Sequence, residues 1–392
     1  MEQNVIVAGV GMIPFAKPGQ SAPYHQMGAE AARHALADAG IGYAQVQQAY
    51  AGYVYGDSTC GQKAVYDVGR TGIPVINVNN NCSSGSTALY LARQAVASGA
   101  AECVLALGFE QMRPGALPIV FPDRPSPFDD FIAVADDYIG PSEAPFALHL
   151  FAAAGRAHMD RYGTQPETFA RIAVKARSHA AHNPYSVFRD PITVDEVLAS
   201  KTMLDPLTKL QCCPPTCGAA AAILCTPEFA RRHGIPARVA IVGQAMVSDA
   251  DDSFSGDPIA AVGAGITARA AREVYRQVGH GPEGFDAIEV HDCFTINELI
   301  TYEALGLAEP GRGERIVADG DNTYGGRWVV NPSGGLLSKG HPLGATGLAQ
   351  CAELNWQLRG QAGERQIEGA RRALQHNVGL GSAVVVTAYA AL

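Results

Sequence analysis

The sequence predicts an α/β protein with parallel strands, and three observations lead to this prediction. Short apolar runs recur along the 392 residues, and Gly- or Ala-rich segments with helical periodicity follow them, which is typical of parallel α/β construction. Hydrophobic residues make up 47% of the chain and charged residues 17%, so extended disorder is excluded for most of it. Glycine, with 43 residues, exceeds its usual share of about 7%, which indicates many tight loops.

The predicted elements alternate along the chain. The apolar runs predict strands at 4–8, 75–78, 103–107, 219–225, 239–242, 287–290 and 383–388. The clearest helical patterns lie at 28–39, 84–98, 266–278 and 346–359. Because a long strand closes each half of the chain, the pattern predicts a duplicated α/β unit.

The segment 114–210 interrupts this alternation. It begins with Pro, Asp and aromatic residues, and helical pieces with polar faces follow around 149–162 and 167–182. We interpret it as a loop domain inserted into the first half, because substrate-covering segments are often built this way. The predicted domains are an N-terminal half at 1–113 completed by 211–234, the inserted loop domain at 114–210, and a C-terminal half at 235–392.

Composition excludes several classes of partner. The net charge of −9 argues against nucleic acid or an anionic membrane surface, which would favour a basic excess. No run approaches the ~18 apolar residues of a membrane span, so integral membrane association is not expected. The nine cysteines form no regular framework and are interpreted as thiols in a reducing compartment. With Glu2 in place of a basic leader, a cytoplasmic protein is expected.

Cys82 is the first candidate for chemistry. It follows the predicted strand 75–78 through a polar turn and precedes the predicted helix at 84–98. The unpaired N–H groups and the dipole at a helix N-terminus favour a thiolate, which is the form a nucleophile requires. The Cys82 N–H is also placed to stabilise a tetrahedral oxyanion. The alternative is a buried, inert cysteine.

His291 and Cys293 form the second candidate, at the end of the apolar run 287–290. In extended backbone, residues two apart share a face, so both side chains point into one site while Asp292 points away. A thiol beside an imidazole serves as a general acid and base. The alternatives are a core histidine or half of a metal site. No metal site is expected, because no CxxC or HxxxH pair accompanies these residues.

Two glycine-rich segments near the C-terminus supply the remaining candidates. The first runs from Asn331 past Ser338 and Gly340 to His341 and presents the histidine before a helix, where an imidazole can deprotonate a cysteine or donate to an oxyanion. The second, at 375–382, is predicted as a glycine loop whose N–H groups form a second oxyanion site. The alternatives are a turn-capping histidine and an ordinary tight turn.

These motifs together resemble the four active-site loops of the thiolase superfamily. Cys82 with Ser84, the HDCF motif at 291–294, Gly340-His341-Pro342 and Asn377-Val-Gly379 occur in the family's order and approximate spacing. More narrowly, HDCF with NELITYEALGL, DNTYGG and NPSGGLLSKGHPLGATGLAQCAEL is similar to thiolases of the sterol carrier protein type. The resemblance covers the whole chain and is strongest from Glu289 onward.

The resemblance implies a fold and a set of roles. The fold would be a five-layered αβαβα thiolase fold of two similar βαβαβαββ halves with an inserted loop domain. Cys82 would be acylated, His341 would activate it and hold the thioester oxygen, and Cys293 would move protons. His291 would orient a water or substrate oxygen, and the N–H groups of Cys82 and Gly379 would form the oxyanion hole. Three further candidates for the substrate loops are Asn331, Ser338 and Gly340.

The chain departs from the family pattern at position 377. Ordinary thiolases carry their second cysteine in a CxG loop, whereas this chain has Asn377 there, so Cys293 is the residue expected to fill that role. The sequence ends at Leu392 without a sterol carrier domain or a peroxisomal address, and a stand-alone thiolase domain is therefore expected.

The function expected from this resemblance is that of a 3-oxoacyl-CoA thiolase working through acyl-Cys82. Coenzyme A would be a co-substrate, no cofactor would be permanently bound, and the assembly would be a homodimer or a dimer of dimers. Two alternatives stay open. One is a steroid side-chain retro-aldolase or Claisen-condensing enzyme on the same fold, and the other is a non-catalytic lipid or acyl-CoA carrier.

Overall fold

The computed structural model describes residues 5–115 and 119–392. Asn4 of the predicted strand 4–8 and residues 116–118 of the predicted loop domain lie outside these ranges. Within them the strands are β1 Val5–Met12, β2 Gln48–Gly52, β3 Val75–Val78, β4 Cys103–Glu110, β5 Thr202–Leu204, β6 Leu207–Thr208, β7 Gly218–Cys225, β8 Val239–Val247, β9 Ala287–Glu289, β10 Val329–Val330, β11 Arg372–Gly379 and β12 Ala383–Ala391.

Of the fourteen helices in the described ranges, six lie where the sequence predicts helical patterns. They are α1 Tyr24–Ala39, α2 Cys60–Tyr66, α3 Ser84–Ala97, α4 Asp129–Ile139, α5 Phe146–Tyr162, α6 Pro166–Ala180, α7 Val194–Ala199, α8 Pro227–Arg232, α9 Pro258–Ala261, α10 Ala264–Val278, α11 Thr295–Ala304, α12 Gly313–Asp319, α13 Gly335–Ser338 and α14 Thr346–Leu358. In the described part of the chain, none of these helices combines the length and the apolar run needed to cross a bilayer.

The strand order repeats itself in the two halves of the chain. The first half forms β3-β2-β4-β7-β1 and the second forms β10-β9-β11-β12-β8. In each half the first three strands of this order are parallel and the last two run antiparallel to their neighbours. Numbered within its own half, each unit therefore has the order 3-2-4-5-1. The predicted duplication is confirmed at the level of topology.

The two five-stranded units enclose a shared layer of helices. Helices α3 and α14 contact each other and strands of both units, while α1 packs on β1, β7 and β4, and α10 packs on β8 and β12. This gives the five layers αβαβα and confirms the predicted thiolase fold. The units also join edge to edge, because Val5 pairs with Ile241 and Ile6 with Ala240, so the strands form one continuous ten-stranded sheet.

The main correction to the predicted elements concerns β11. The sequence predicts a glycine loop at 375–382, but Arg372–Gly379 is a strand and only residues 380–382 turn. Gln375, His376 and Asn377 are polar and yet fully buried, because the strand lies between neighbours in the sheet and its side chains hydrogen bond to other buried groups. An apolar pattern therefore does not mark this strand. The sequence-based prediction also misses the short strands β2, β5, β6 and β10.

The described part of segment 114–210 combines helices with loops and a short hairpin. It contains α4 to α7 and the small antiparallel hairpin of β5 and β6. Its helix α5 reaches the second half, where the Phe151 and Phe294 rings lie 4.9 Å apart, and α6 contacts α11 and α13. These contacts bring the segment against the elements that carry the candidate residues. The predicted domain boundaries stay a prediction.

Candidate active site

Cys82 lies in a tight polar turn between β3 and α3. Asn81, immediately before it, has φ 49°, a left-handed conformation that short polar side chains tolerate. The Ser83 hydroxyl donates to the Asn80 carbonyl at 2.9 Å, and the Ser84 hydroxyl donates to the Asn81 carbonyl at 2.7 Å. The turn is therefore fixed by its own side chains, and it holds a buried Cys82 at the entry to the helix.

The resting protonation of Cys82 differs from the sequence-based expectation. Burial raises the pKa of the Cys82 thiol to about 12, with a further contribution from Glu110, although the N–H groups of Cys82 and Leu380 act in the opposite direction. Desolvation thus outweighs the helix dipole. The expectation of a thiolate favoured by the helix N-terminus is wrong for the resting site, and Cys82 needs a base to lose its proton.

His341 presents such a base, from the loop between α13 and α14. Its Nδ1 lies 2.7 Å from the Thr346 hydroxyl, whose own proton goes to the Pro342 carbonyl at 2.9 Å. The Thr346 oxygen can therefore only accept, so Nδ1 carries the hydrogen and Nε2 carries a lone pair. Nε2 is buried and has no hydrogen-bond partner among the described residues. Burial lowers the pKa of His341 to about 3, which keeps the ring neutral.

His291 completes a compact cluster with Cys82 and His341. The Cys82 sulfur and one ring nitrogen from each histidine lie within 4.8 Å of one another, and all three residues are buried. The two rings meet edge to face, 5.0 Å apart. Burial, together with His341 and His376, lowers the pKa of His291 well below its usual range. Because these atoms are also zinc-ligand types, the expected absence of a metal stays a prediction.

The side chains of Asp292 and Cys293 point in different directions, as expected for neighbouring residues in extended backbone. The Asp292 carboxylate accepts the Leu336 N–H at 2.7 Å and so faces α13, away from the cluster. Burial raises the pKa of Cys293 well above its usual range, and the neighbouring Cys213 and Cys82 raise it further. Cys82 is thus near enough to affect the pKa of Cys293, but Cys293 is not a member of the compact cluster of Cys82, His291 and His341.

Cys213 is a third thiol that the sequence-based analysis leaves as structural. Its N–H donates to the Cys293 carbonyl at 2.9 Å, and the coupling of its pKa to Cys82 places it near the nucleophile candidate. The QCCPP run around it carries no motif that would have assigned it to the site. Its position follows only from the bridge between Cys212 and Phe294.

Gly379 packs directly against the turn that carries Cys82. A Cβ built on Gly379 would lie 2.1 Å from the Asn80 carbonyl oxygen and 3.0 Å from the Ser83 nitrogen. Only glycine allows this approach. The N–H of the next residue, Leu380, lowers the pKa of Cys82, an effect that the sequence does not predict. The proposed role of the Gly379 N–H in an oxyanion hole stays a prediction.

The three substrate-loop candidates have different surroundings. Asn331 accepts the Val290 N–H at 2.8 Å through its side-chain oxygen and so supports the end of β9. The Ser338 hydroxyl is buried without a hydrogen-bond partner among the described residues. Gly340 has φ 114° and would meet the Thr216 side chain at 2.8 Å if it carried a Cβ. Contact of these residues with a substrate stays a prediction.

Glu110, at the end of β4, is a buried carboxylate that the sequence-based analysis does not identify. It accepts N–H groups from Val54 at 3.1 Å, Tyr55 at 2.9 Å and Gly344 at 3.0 Å. It thereby ties the loop after β2 to the loop that follows His341. Burial raises its pKa to about 7, against the effect of these N–H donors.

The buried histidines make the free energy of unfolding sensitive to acid. Burial lowers the pKa values of His179, His341 and His376 to about 3 each. Between about pH 6.5 and pH 3 the unfolded chain binds protons that the native chain does not, so stability falls as the pH falls. We expect His179→Gln to reduce this slope by about 1.4 kcal/mol per pH unit, measured by urea unfolding at several pH values. An unchanged slope would contradict this assignment.

The comparisons with known families agree with the fold and with the cluster. Residues 5–228 match the family described as thiolase, N-terminal domain, and residues 259–389 match the thiolase C-terminal domain-like family. The duplicated α/β fold and the cysteine at the entry to its central helix are therefore those of a thiolase-class protein. The chain belongs to the thiolase superfamily.

Its similarity to particular relatives is closer still. The chain is 55% identical to sterol carrier protein 2 of Gallus gallus over 100% of its own length and 72% of that protein. It is 36% identical to an acetyl-CoA acetyltransferase of Methanothermobacter thermautotrophicus, over 96% of each chain. Among solved structures, the Ltp2-ChsH2(DUF35) aldolase is 25% identical, with a TM-score of 0.83 over 99% of this chain and 98% of that one. The resemblance to the sterol carrier type is confirmed.

Proposed function

We propose that the protein is a 3-oxoacyl-CoA thiolase that transfers an acyl group through Cys82. The observation that carries the proposal is the unpartnered, buried Nε2 of a neutral His341 in the cluster that also holds the Cys82 sulfur. A protonated buried thiol next to a free imidazole lone pair is the arrangement from which a nucleophile is generated on demand.

In the first half of the reaction, His341 Nε2 takes the Cys82 proton and the sulfur attacks the 3-keto carbonyl carbon. The tetrahedral oxyanion collapses, and the bond between C2 and C3 breaks. The electron pair of that bond leaves as the enolate of acetyl-CoA or propanoyl-CoA. The Cys293 thiol gives its proton to the C2 carbon. The products of this half are acyl-Cys82, acetyl-CoA or propanoyl-CoA, the Cys293 thiolate and a protonated His341.

In the second half, the Cys293 thiolate takes the proton of incoming coenzyme A. The CoA sulfur attacks acyl-Cys82, and Cys82 leaves as a thiolate that recovers its proton from His341. The enzyme returns to its starting state with one thioester made for one broken. The effect of Cys82 on the pKa of Cys293 supports the assignment of this proton transfer to Cys293.

The partners follow from this chemistry. Acyl-CoA and CoA are the substrates, and the mechanism uses no resident cofactor. We also propose a homodimer, since β3 ends the ten-stranded sheet of the described chain and leaves one side of a short strand open to a second copy. The cytoplasmic location stays a prediction.

An aldolase is the second candidate, because the Ltp2-ChsH2(DUF35) aldolase shares the fold at 25% identity. A retro-aldol cleavage needs no acylated thiol, so the two candidates differ in whether Cys82 carries an intermediate. The presence of two coupled thiols and His341 in this chain supports the thiolase.

The test is to trap the acyl-enzyme. The protein is mixed with a 3-oxoacyl-CoA in the absence of CoA, and intact-mass and peptide mass spectrometry follow. We expect one acyl group per chain on the peptide of Cys82, release of an equal amount of acetyl-CoA, and loss of the label when CoA is added. The other eight cysteines serve as internal controls and should carry no acyl group.

Other outcomes would replace the proposal. Cleavage of a carbon–carbon bond without any label on Cys82 would favour the aldolase. Binding of acyl-CoA with neither cleavage nor label would favour a non-catalytic carrier. A label on Cys213 or Cys293 that persists in Cys82→Ala would assign the nucleophile to that cysteine instead of Cys82.

A further inference from the structure

A series of buried hydrogen bonds connects His291 through Asn377 and Ser86 to Gln375. Asn377 Nδ2 lies 2.8 Å from His291 Nδ1, and the Ser86 hydroxyl lies 2.8 Å from Asn377 Oδ1. Gln375 Nε2 in turn donates to the Ser86 hydroxyl at 3.0 Å. Asn377, Ser86 and Gln375 lie outside the cluster of Cys82, His291 and His341, so the cluster itself does not explain why they are arranged in this way.

One backbone carbonyl fixes the direction of every hydrogen bond in this series. The Gly347 carbonyl can only accept, and Gln375 Nε2 donates to it at 2.7 Å, so the amide nitrogen of Gln375 must face it and Ser86. Gln375 Nε2 also lies 3.3 Å from Gln350 Oε1, so it has three acceptors for two hydrogens. It cannot accept from Ser86, and the Ser86 hydrogen therefore goes to Asn377. The Asn377 atom facing Ser86 must be the oxygen, and the atom facing His291 must be the NH2 group.

We infer that Asn377 is a positioning residue that sets His291 as an N–H donor toward Cys82. A neutral ring that accepts at Nδ1 carries its hydrogen at Nε2. His341 is held in the opposite tautomer. Its Nδ1–H donates a hydrogen bond to the Thr346 hydroxyl oxygen, so its Nε2 has a lone pair. The inference rests on the proposed function for its chemical meaning.

The two histidines therefore have opposite hydrogen-bonding roles beside Cys82: one presents an acceptor and the other presents a donor. His341 accepts the thiol proton, and His291 donates to the oxygen of the substrate as negative charge develops on it. If His291 carried its hydrogen at Nδ1 while His341 stayed unchanged, two lone pairs would face the developing anion. A zinc ion would need a lone pair from each ring, so the state set by Asn377 also disfavours a metal on this cluster.

Asn377→Asp reverses the donor while keeping the shape of the side chain. The carboxylate still accepts from Ser86, but it now accepts a hydrogen from His291 Nδ1 as well, and it raises the pKa of His291. The Nε2 hydrogen then exists only while the ring is an imidazolium. The titratable groups facing His291 are Cys82, His341 and His376, whose pKa values of about 12, 3 and 3 lie outside the range from about pH 6 to pH 9. Glu110, with a pKa of about 7, titrates inside that range, but it does so in the unmodified protein and in both variants, so the difference between the profiles reports His291.

We expect the pH profile of kcat to report this reversal. In the unmodified protein kcat should show no titration from His291 over that range. In Asn377→Asp, kcat should fall about tenfold per pH unit above the raised pKa, to a loss of about 10²-fold, with KM little changed. Asn355→Asp is the matched control, because Asn355 is also fully buried but donates to Cys351 within α14. It should keep the unmodified pH profile.

A second measurement does not depend on turnover. Nitrogen-15 NMR of histidine-labelled protein, with His291 assigned by loss of its signals in His291→Gln, should show an unprotonated Nδ1 and a protonated Nε2. A protonated Nδ1, or an unchanged pH profile in Asn377→Asp, would overturn the inference even if thiolysis is found. Absence of thiolysis with the expected His291 state would instead overturn the proposed function alone.

Discussion

Cys82→Ala is expected to reduce thiolysis of a 3-oxoacyl-CoA by about 10⁴-fold or more and to abolish acyl labelling. The size of the loss follows from the mechanism, because the acyl group has no other covalent carrier and the remaining groups only bind and polarise the substrate. Steady-state rates with a straight-chain 3-oxoacyl-CoA measure it. Binding of substrate should persist, since the variant removes one sulfur from a buried turn held by Ser83 and Ser84.

The control for this variant is another buried cysteine. Cys225 is fully buried at the end of β7, and it pairs with Cys103 at the start of β4, whereas the site lies at the other end of β4 near Glu110. Cys225→Ala makes the same chemical change and should keep near-normal turnover. Comparable rates for Cys82→Ala and the unmodified protein would end the acyl-enzyme proposal.

Gly379→Ala is expected to lower kcat by about 10²-fold, through displacement of the turn that carries Cys82. The added Cβ would lie 2.1 Å from the Asn80 carbonyl oxygen and 3.0 Å from the Ser83 nitrogen. These are backbone atoms, which cannot rotate away, so β11 or the turn must shift. A shift of about 1 Å is enough to cost this much when two reacting groups must stay aligned. Rates at saturating substrate measure the effect.

Gly42→Ala separates this local effect from the general cost of a methyl group. A Cβ at Gly42 would meet only the Gln45 side chain at 3.8 Å, an ordinary contact, and its φ of −88° suits any residue. Its activity should match that of the unmodified protein. If Gly379→Ala were equally active and equally stable, the close approach of β11 to the turn would have no role in positioning Cys82.

Much of the fold is predictable from the sequence because its buried strands are apolar. Runs such as Ala219 to Cys225 identify themselves without any knowledge of their neighbours. The strand β11 does not, since its buried residues include Gln375, His376 and Asn377, and their polarity is satisfied only by residues far away in the sequence. The continuity of the sheet across β1 and β8 rests on two residue pairs and likewise leaves no local signal.

The candidate site divides in the same way. Cys82, His291 and His341 occur in recognisable motifs, and the structure brings them together. The contacts of Cys213, Glu110 and Asn377 with the site depend on tertiary packing alone. The expectation of a resting thiolate fails because a sequence shows the helix that follows a cysteine but not the depth at which the cysteine is buried. That depth decides its pKa.

The repeated strand order shows that the cluster is built from equivalent connections of the two units. The connection after the third strand of each unit leads into a helix of the shared middle layer, α3 after β3 and α14 after β10. Each connection also contains a left-handed asparagine, Asn81 or Asn331. The nucleophile candidate lies on one connection and the base candidate on its counterpart. The protein thus resembles a fused pair of similar subunits whose chemistry lies at their internal interface, and neither unit contains the complete centre alone.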